Sequence, residues 1–501
     1  MNSNILAIMR KYYTFIIILA GSFLPCNLFS QKEVLRLTLA DVIEIAKQQS
    51  PHAILAKHRF RASYWQYRTF QAEYRPSLSL ESTIPDYSRQ FVLEYDQGQY
   101  KYVEKNSNTS SLALSLSQNI GLTGGSIFVA SELTRQDEFG ADGRTEYVTS
   151  PISIGFRQPI LRYNSLKWQK KIEPLMYEVA KKEYLDALEN VSLMAVNRFF
   201  DLALAEQNLS IAELNYHNSD TLFRIAQGRY NIGTIAENQL LQMELSYLNS
   251  GTDMNQANIE LQVAEFNLRS FLGFNENVKI ELIIPADIPS LEVDVDQAIS
   301  LARENNPDLI DYERQLIQAQ RDVAQAKSEK GLNADLFATF GMTQRADDIL
   351  NAYNDPLDQQ RVRVGLTLPI IDWGLGRGKY KMAQSNQEVV QTTVQQSIND
   401  FEQNIFLNVM RFNLQDEQLM IAAKADTIAQ KRYNVTKERY LIGKIDVLDL
   451  NIAMEEKDVA RRGYISALRN YWSAFYTVRR LALHDFEKNQ NLAADYDKLV
   501  E

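Results

Sequence analysis

Residues 229–234 read Arg-Tyr-Asn-Ile-Gly-Thr, and residues 439–444, 210 positions later, read Arg-Tyr-Leu-Ile-Gly-Lys. A second pair of segments has the same offset. Residues 154–160 read Ile-Gly-Phe-Arg-Gln-Pro-Ile, and residues 364–370 read Val-Gly-Leu-Thr-Leu-Pro-Ile. Similar segments that recur in the same order are typical of an internal repeat. We therefore interpret the chain as two copies of one unit.

A third pair of similar segments has a different offset. Residues 43–51 resemble residues 299–307, which lie 256 positions later, so the first copy is 46 residues longer than the second. The extra length contains an alternating apolar and polar run at 112–118, followed by Gly124-Gly125. Alternation at period two beside a Gly-Gly turn predicts an additional β-hairpin over residues 112–130.

The N-terminal segment has the layout of a secretory signal peptide. Arg10 and Lys11 precede an apolar core of about a dozen residues, which is shorter than the roughly 20 that a spanning helix needs. An N-terminal anchor helix remains an alternative, and so does acylation of Cys26, although Pro25 is not the small residue that a lipoprotein signal places before the cysteine. The predicted boundaries are a signal peptide at 1–30, a first repeat at 31–285, a second repeat at 286–484 and a polar C-terminal tail at 485–501.

Composition excludes several classes of function. The 501 residues carry a net charge of −10, which disfavours a nucleic-acid partner. Four His and one Cys allow no Cys/His zinc pattern and no intrachain disulfide. Neither Gly-x-Ser-x-Gly nor His-Glu-x-x-His occurs. A Gly-rich stretch at 374–378 fails the dinucleotide-binding pattern, because Lys379 occupies the sixth position. We predict no catalytic residue, no metal ligand and no cofactor, and hence no enzyme.

Periodicity predicts long helices and short strands. The first helix of each copy is expected at 39–75 and at 295–330, with strands following at 78–84 and 336–342. A helix starting near Ser165 carries an apolar seam at three-to-four-residue spacing from Leu188 to Tyr230, which is typical of a coiled coil. At about 1.5 Å per residue this helix would be roughly 100 Å long. The predicted fold class is mainly α with transmembrane β.

These strands are too few to close a barrel within one chain, since closed barrels have roughly eight or more strands. An open sheet would leave bare edges. We therefore expect several copies of the chain to share one barrel. The extra hairpin has two possible positions. It could widen that barrel, or it could form a loop outside the membrane, in which case a tag inserted at Thr123 would be reachable on intact cells.

The repeated helix–strands–helix–helix unit and the two Tyr-x-Ile-Gly turns resemble the TolC-like outer-membrane efflux proteins of Gram-negative bacteria. The resemblance covers nearly the whole mature chain. It implies a homotrimer whose strands form one shared β-barrel in contact with outer-membrane lipid, and whose helices form a coiled-coil helical barrel in the periplasm. It also implies a passive exit duct that works with a periplasmic adaptor (membrane fusion protein) and an inner-membrane pump of RND or ABC type. The resemblance does not determine whether the cargo is a drug, a metal, a lipid or a protein.

The resemblance assigns site residues as well. It makes the two turns the periplasmic tips where the adaptor docks. The docking residues are Tyr230, Ile232, Gly233 and Thr234 in the first turn, and Tyr440, Ile442, Gly443 and Lys444 in the second.

Two carboxylates follow the second turn. In the family an Asp-Val-Leu-Asp run rings the closed aperture, and Asp446 and Asp449 occupy that place here, two residues closer to the glycine. Residues three apart share one face of a helix, and six such carboxylates from three chains would favour cations. The alternative is an ordinary solvated pair at a helix N-terminus, where acidic residues are favourable.

Two other functions compete with the exit duct. A periplasmic coiled-coil adaptor or scaffold without a barrel would explain the long helices, but not the strands at matching places in both copies. A secreted hydrolase would need a catalytic constellation, which the sequence does not offer.

Overall fold

The structure, a computed structural model, describes residues 34–96, 98–140, 143–274, 278–285, 291–442, 444–445 and 447–500. The predicted signal peptide with Cys26, and the predicted site residues Gly443 and Asp446, lie outside the described residues. The chain divides into two compact units. Unit 1 comprises Met1–Glu44 and Asp201–Ile288, and unit 2 comprises Ile45–Phe200 and Pro289–Glu501.

Helices dominate the described part of the chain. They are α1 Leu39–Gln49, α2 Pro51–Glu73, α3 Ser165–Asn231, α4 Glu237–Leu272, α5 Val295–Asn305, α6 Pro307–Glu329, α7 Leu375–Asn413, α8 Gln415–Leu441, α9 Val447–Ala482 and α10 Tyr496–Val500. In the ranges that the structure describes, no helix combines the length and the apolar character that crossing a membrane requires.

The prediction of one uninterrupted helix over 39–75 and another over 295–330 is wrong. Each is broken once, at Ser50-Pro51 and at Asn306-Pro307. Proline cannot continue a helix, because it lacks the N–H and clashes with the preceding turn, but it suits the first position of a new one. The residue before each proline caps the new helix. The Ser50 side chain accepts a hydrogen bond from the Ala53 N–H at 3.1 Å, and the Asn306 side chain accepts one from the Asp308 N–H at 2.9 Å.

The long helix α3 has 67 residues, so at 1.5 Å per residue it extends for about 100 Å. Most of the small residues of the seam are buried, as close approach of a neighbouring helix requires. The buried seam residues are Val191, Ala195, Leu202, Ala205, Ala212, Ser219 and Ala226.

The strands form one six-stranded antiparallel sheet in unit 2 and two small sheets. The strands are β1 Val34–Thr38, β2 Ser77–Asp96, β3 Gln99–Ile120, β4 Gly125–Phe139, β5 Arg144–Ile160, β6 Lys279–Ile283, β7 Asn333–Ala346, β8 Leu357–Thr367, β9 His484–Asp485 and β10 Gln490–Asn491. The large sheet has the order β2-β3-β4-β5-β7-β8. In unit 1, β1 pairs with β6 in parallel, and β9 pairs with β10 in unit 2.

The turn between β3 and β4 lies at the end of the large sheet that is next to the helices, which we call the helix end. The Gln118 side chain donates to the Tyr74 carbonyl at 2.8 Å, and the Asn164 side chain donates to the Gly121 carbonyl at 3.2 Å. These bonds join the turn to the residues that follow α2 and precede α3. Thr123 therefore lies at the helix end of the sheet.

The opposite, far end of the sheet carries the other connections. They are the turn at Gly98, Gly140 and Gly143 of the β4–β5 connection, and the longer β7–β8 connection, which contains a single 3-10 turn at Asn351–Tyr353. The strands reach this end because β2 and β3 stay paired as far as Asp96 and Gln99.

The C-terminal tail folds back onto α2. The Arg61 side chain donates to the Leu499 carbonyl at 2.5 Å. The Tyr496 ring lies 5.3 Å from the ring of Phe60, which is buried in a cluster with Tyr184. The polar composition of the tail therefore does not prevent its few apolar side chains from packing against unit 2.

Candidate functional site

The first predicted tip turn, between α3 and α4, is a Schellman C-cap. The Gly233 N–H donates to the Tyr230 carbonyl at 2.9 Å, and the Thr234 N–H donates to the Arg229 carbonyl at 2.9 Å. Gly233 has a φ of 74°, in the left-handed region that this motif requires and that glycine adopts without a steric penalty. Ile232 is 75% exposed. The turn thus closes the helix and presents an apolar side chain to solvent.

The second predicted tip turn, between α8 and α9, has matching hydrogen bonds. The Lys444 N–H donates to the Arg439 carbonyl at 3.0 Å, which is the same six-residue bond that closes the first turn. Ile442 is 66% exposed, whereas Tyr440 is 4% exposed and therefore anchors the end of α8. The two turns belong to different compact units. The pattern Tyr-x-Ile-Gly thus encodes a helix end followed by an exposed isoleucine.

Of the two predicted aperture carboxylates, Asp449 lies in the described part of the chain. It occupies the first turn of α9 and is exposed. A carboxylate is favourable at this end of a helix, because the first backbone N–H groups carry partial positive charge. The helix therefore holds Asp449 in solvent beside the second turn.

The large sheet has one apolar and one polar face. Successive side chains of a strand point to opposite faces, so directly paired residues across the strands share a face. One row of the apolar face crosses five strands and consists of Leu78, Leu116, Val129, Ile154 and Phe340. The adjacent row on the polar face consists of Ser77, Ser117, Phe128, Gly155, Thr339 and Arg361.

The apolar face is open to the surroundings of the chain. Leu78 is 67% exposed and Phe340 is 53% exposed, and neighbouring leucines, isoleucines and valines of the same face are exposed as well. An apolar surface that crosses a whole sheet marks contact with lipid or protein. Each of the six strands has at least 11 residues, and a strand needs about 9–11 residues to cross a bilayer. The sequence pattern indicated the strands, but not that their apolar residues would align across five of them, as far as Phe340 of β7.

A buried ionic cluster in unit 2 was not predicted from the sequence. Glu189 of α3 pairs with Lys47 of α1 at 2.6 Å and with Arg479 of α9 at 3.0 Å. Arg479 also pairs with Asp485 of β9 at 2.9 Å. Glu189 and Asp485 are buried, so each needs its cationic partners. Lys47, Glu189 and Arg479 are far apart in the sequence, and no spacing pattern could have connected them.

Unit 1 contains a carboxyl group that titrates near neutrality. Burial is the main cause that raises the pKa of Glu206 to about 7, the nearby carboxylates of Glu265 and Glu281 contribute to this rise, and Lys279 opposes it. Glu206 lies on α3, Glu265 on α4 and the other two residues on β6. In the described part of the chain, no group of His, Cys, Asp or Glu is arranged to hold a metal ion.

Comparison with known proteins gives consistent results. The family model described as outer membrane efflux protein matches residues 298–482. No curated protein matches the sequence. The Campylobacter jejuni CmeC outer membrane channel is 17% identical over 92% of this chain and 88% of its own, with a TM-score of 0.64. CusC is 14% identical over 92% of this chain and 95% of its own, with a TM-score of 0.63.

A third similar structure is the open state of the Neisseria gonorrhoeae MtrE outer membrane channel, which is 14% identical over 89% of this chain and 88% of its own, with a TM-score of 0.59. At identities this low, the TM-scores establish a shared fold and nothing more specific. These three structures are of proteins that form outer membrane or transmembrane channels. The chain is thus similar to outer membrane efflux proteins over residues 298–482, and it shares the fold of these channels over about nine tenths of its length.

Proposed function

We propose that the protein is the passive exit duct of a tripartite efflux or secretion system and acts as a homotrimer. The observation that carries this proposal is the six-stranded sheet of unit 2. Its exposed apolar face suits outer-membrane lipid. On their outer sides, the edge strands β2 and β8 pair with no described strand, and edges of this kind are normally covered. Copies of the same chain would cover them and close one shared β-barrel.

We infer that the turns at Ile232 and Ile442 dock a periplasmic adaptor, a membrane fusion protein that connects the duct to an inner-membrane pump of RND or ABC type. Each turn combines a rigid helix end with an exposed apolar side chain, as a docking knob requires. Cysteines introduced at Ile232 and Ile442 are expected to crosslink to the adaptor, whereas a cysteine at the exposed Thr221 on α3 is not. Equal crosslinking at all three positions would argue against docking at the turns.

We also propose that Asp446 and Asp449 line the closed aperture. A ring of six carboxylates in a narrow opening favours cations and repels anions. Purified protein in a planar bilayer is expected to show a small cation-selective conductance, and this selectivity should be lost in the double variant Asp446→Asn/Asp449→Asn. The variant Glu455→Gln, which removes an exposed carboxylate further along α9, should leave the selectivity unchanged.

Two outcomes of the bilayer measurement would count against these proposals. Unchanged selectivity in the double variant would remove the aspartates from the aperture and leave the duct in place. Absence of conductance from protein shown to be inserted would instead favour the alternative, a periplasmic coiled-coil adaptor or scaffold. That alternative leaves the exposed apolar face of the sheet without a role.

A further inference from the structure

The two halves of the chain contribute unequally to the large sheet. The first half supplies β2, β3, β4 and β5, and the second half supplies β7 and β8. The surplus is one complete hairpin. β3 and β4 are not an appendage, because β3 pairs with β2 from Asp96–Gln99 down to Ser77–Ser117, and β4 pairs with β5 over most of its length.

The apolar face continues through the surplus hairpin at the same level as in the other strands. In β3 the apolar face consists of Leu112, Leu114 and Leu116, and in β4 it continues at Ile127 and Val129. Val129 pairs directly with Ile154 of β5. A hairpin outside the membrane would have no reason to place leucines at alternate positions in line with the apolar residues of its neighbours. The pattern therefore puts β3 and β4 in the part of the sheet that contacts lipid.

The sheet can also close against copies of itself. Six antiparallel strands alternate in direction, so β8 of one chain runs antiparallel to β2 of the next, and a ring of any number of copies closes without a parallel pair. The charges at the two edges are complementary on the polar face. Glu81 lies on that face of β2, and Arg361 and Arg363 lie on it in β8. The occupant that fits both edges is a second copy of this chain.

We propose that all six strands of each chain are wall strands, so that the shared barrel of three chains has eighteen strands. This inference rests on the trimeric duct proposed above. If both halves contributed two strands, as the second half does, the barrel would have twelve. Because barrel diameter grows about linearly with strand number, the surplus hairpin makes the lumen about half as wide again. The outer mouth would then admit bulkier hydrophilic cargo than a twelve-stranded barrel could pass.

Spin labels distinguish a wall strand from an external appendage. Labels at Leu114 and Ser115 probe the two faces of β3, and labels at Phe340 and Thr339 are the matched reference on β7. In protein reconstituted in phospholipid vesicles, oxygen should relax the labels at Leu114 and Phe340 more strongly. A water-soluble nickel chelate should relax the labels at Ser115 and Thr339 more strongly.

The reference pair separates the two ways in which this can fail. If β7 alternates and β3 does not, the hairpin is not in the wall and this inference is overturned, while the duct proposal stands. If neither strand alternates, the sheet is not in the membrane and the proposed function fails with it.

A deletion tests the width. Removing residues 99–142 joins Gly98 to Gly143 and leaves β2, β5, β7 and β8. The largest neutral polymer that enters the outer mouth and reduces the single-channel conductance should then be smaller, with a cut-off diameter lower by about a third. An unchanged cut-off in an inserted deletion variant would overturn the eighteen-stranded wall. If the deletion variant does not insert, the label pairs on the full-length chain decide the question.

Discussion

At the scale of single residues, Glu206 gives unit 1 a dependence on pH. Its pKa is raised from 4.5 to about 7, mainly by burial, so the folded chain binds this proton more tightly than the unfolded chain does. The protonated Glu206 carboxyl therefore contributes its full stabilisation of unit 1 below about pH 4.5, and this contribution is lost as the pH rises through about 7. Glu206 destabilises unit 1 when it is ionised and does not when it is protonated.

The variant Glu206→Gln should remove this dependence. At pH 8 we expect it to be more stable than the wild type by about 1 kcal/mol, since partial exposure of the side chain reduces the effect, and the difference should be much smaller at pH 5. Thermal unfolding measured between pH 5 and pH 8 checks this. Glu213→Gln, at an exposed position of the same helix, is the control. A stability difference that is constant with pH would contradict the assignment.

At the scale of elements, the repeated turn is a helix-ending device whose glycine has a physical role. Gly233 is left-handed, and a Cβ added there would meet no atom within 4 Å, so any cost of substitution comes from the backbone alone. Gly228, five residues earlier in α3, has equally open surroundings but a helical backbone. The two glycines therefore form a matched pair.

We expect Gly233→Ala to destabilise the turn by about 1 kcal/mol, because left-handed backbone costs other residues about 1–2 kcal/mol. Gly228→Ala should be neutral or stabilising, because alanine is the better helix former. Hydrogen exchange of the amides at 229–240 measures the difference, and exchange should be about fivefold faster in the first variant only. Similar exchange in the two variants would mean that the turn does not depend on the left-handed glycine.

At the scale of the whole molecule, the two ends of the large sheet define the orientation that we propose for the chain in the outer membrane. Its helix end carries the β3–β4 turn, and its far end carries the β2–β3 turn at Gly98. In the proposed exit duct the helices are periplasmic, so the far end faces outward. The same topology places Thr123 on the periplasmic side.

An epitope tag inserted after Gly98 should therefore bind antibody on intact cells. The same tag at Thr123 should bind only after the outer membrane is permeabilised. Both turns join neighbouring antiparallel strands, so each insertion is the control for the other. Labelling of Thr123 alone on intact cells would reverse the proposed orientation.

Local patterns in the sequence predicted much of the architecture. The seam spacing from Leu188 onward indicated a long helix, because burial at every third or fourth residue has no other regular solution, and the structure has one from Ser165 to Asn231. The repeated Tyr-x-Ile-Gly pattern located a helix end in both halves, at Asn231 and Leu441, and in the first turn Gly233 adopts the left-handed cap conformation. Alternation at 112–118 located a strand. The prolines at 51 and 307 were the local signal for the two helix breaks. The apolar periodicity continues across both prolines, so it predicted one helix where there are two.

What the sequence determined by itself is local: helix, strand, turn and the apolar or polar character of each face, all of which depend on residues a few positions apart. The tertiary structure decided what depends on pairing between distant segments. It joined six strands from both halves into one sheet, set the register that aligns Leu116 with Val129 and Ile154, and turned Thr123 toward the helices. It also brought Lys47, Glu189 and Arg479 together. Hydrogen-bond register and buried charge pairing are properties of two segments at once, so neither segment alone contains them.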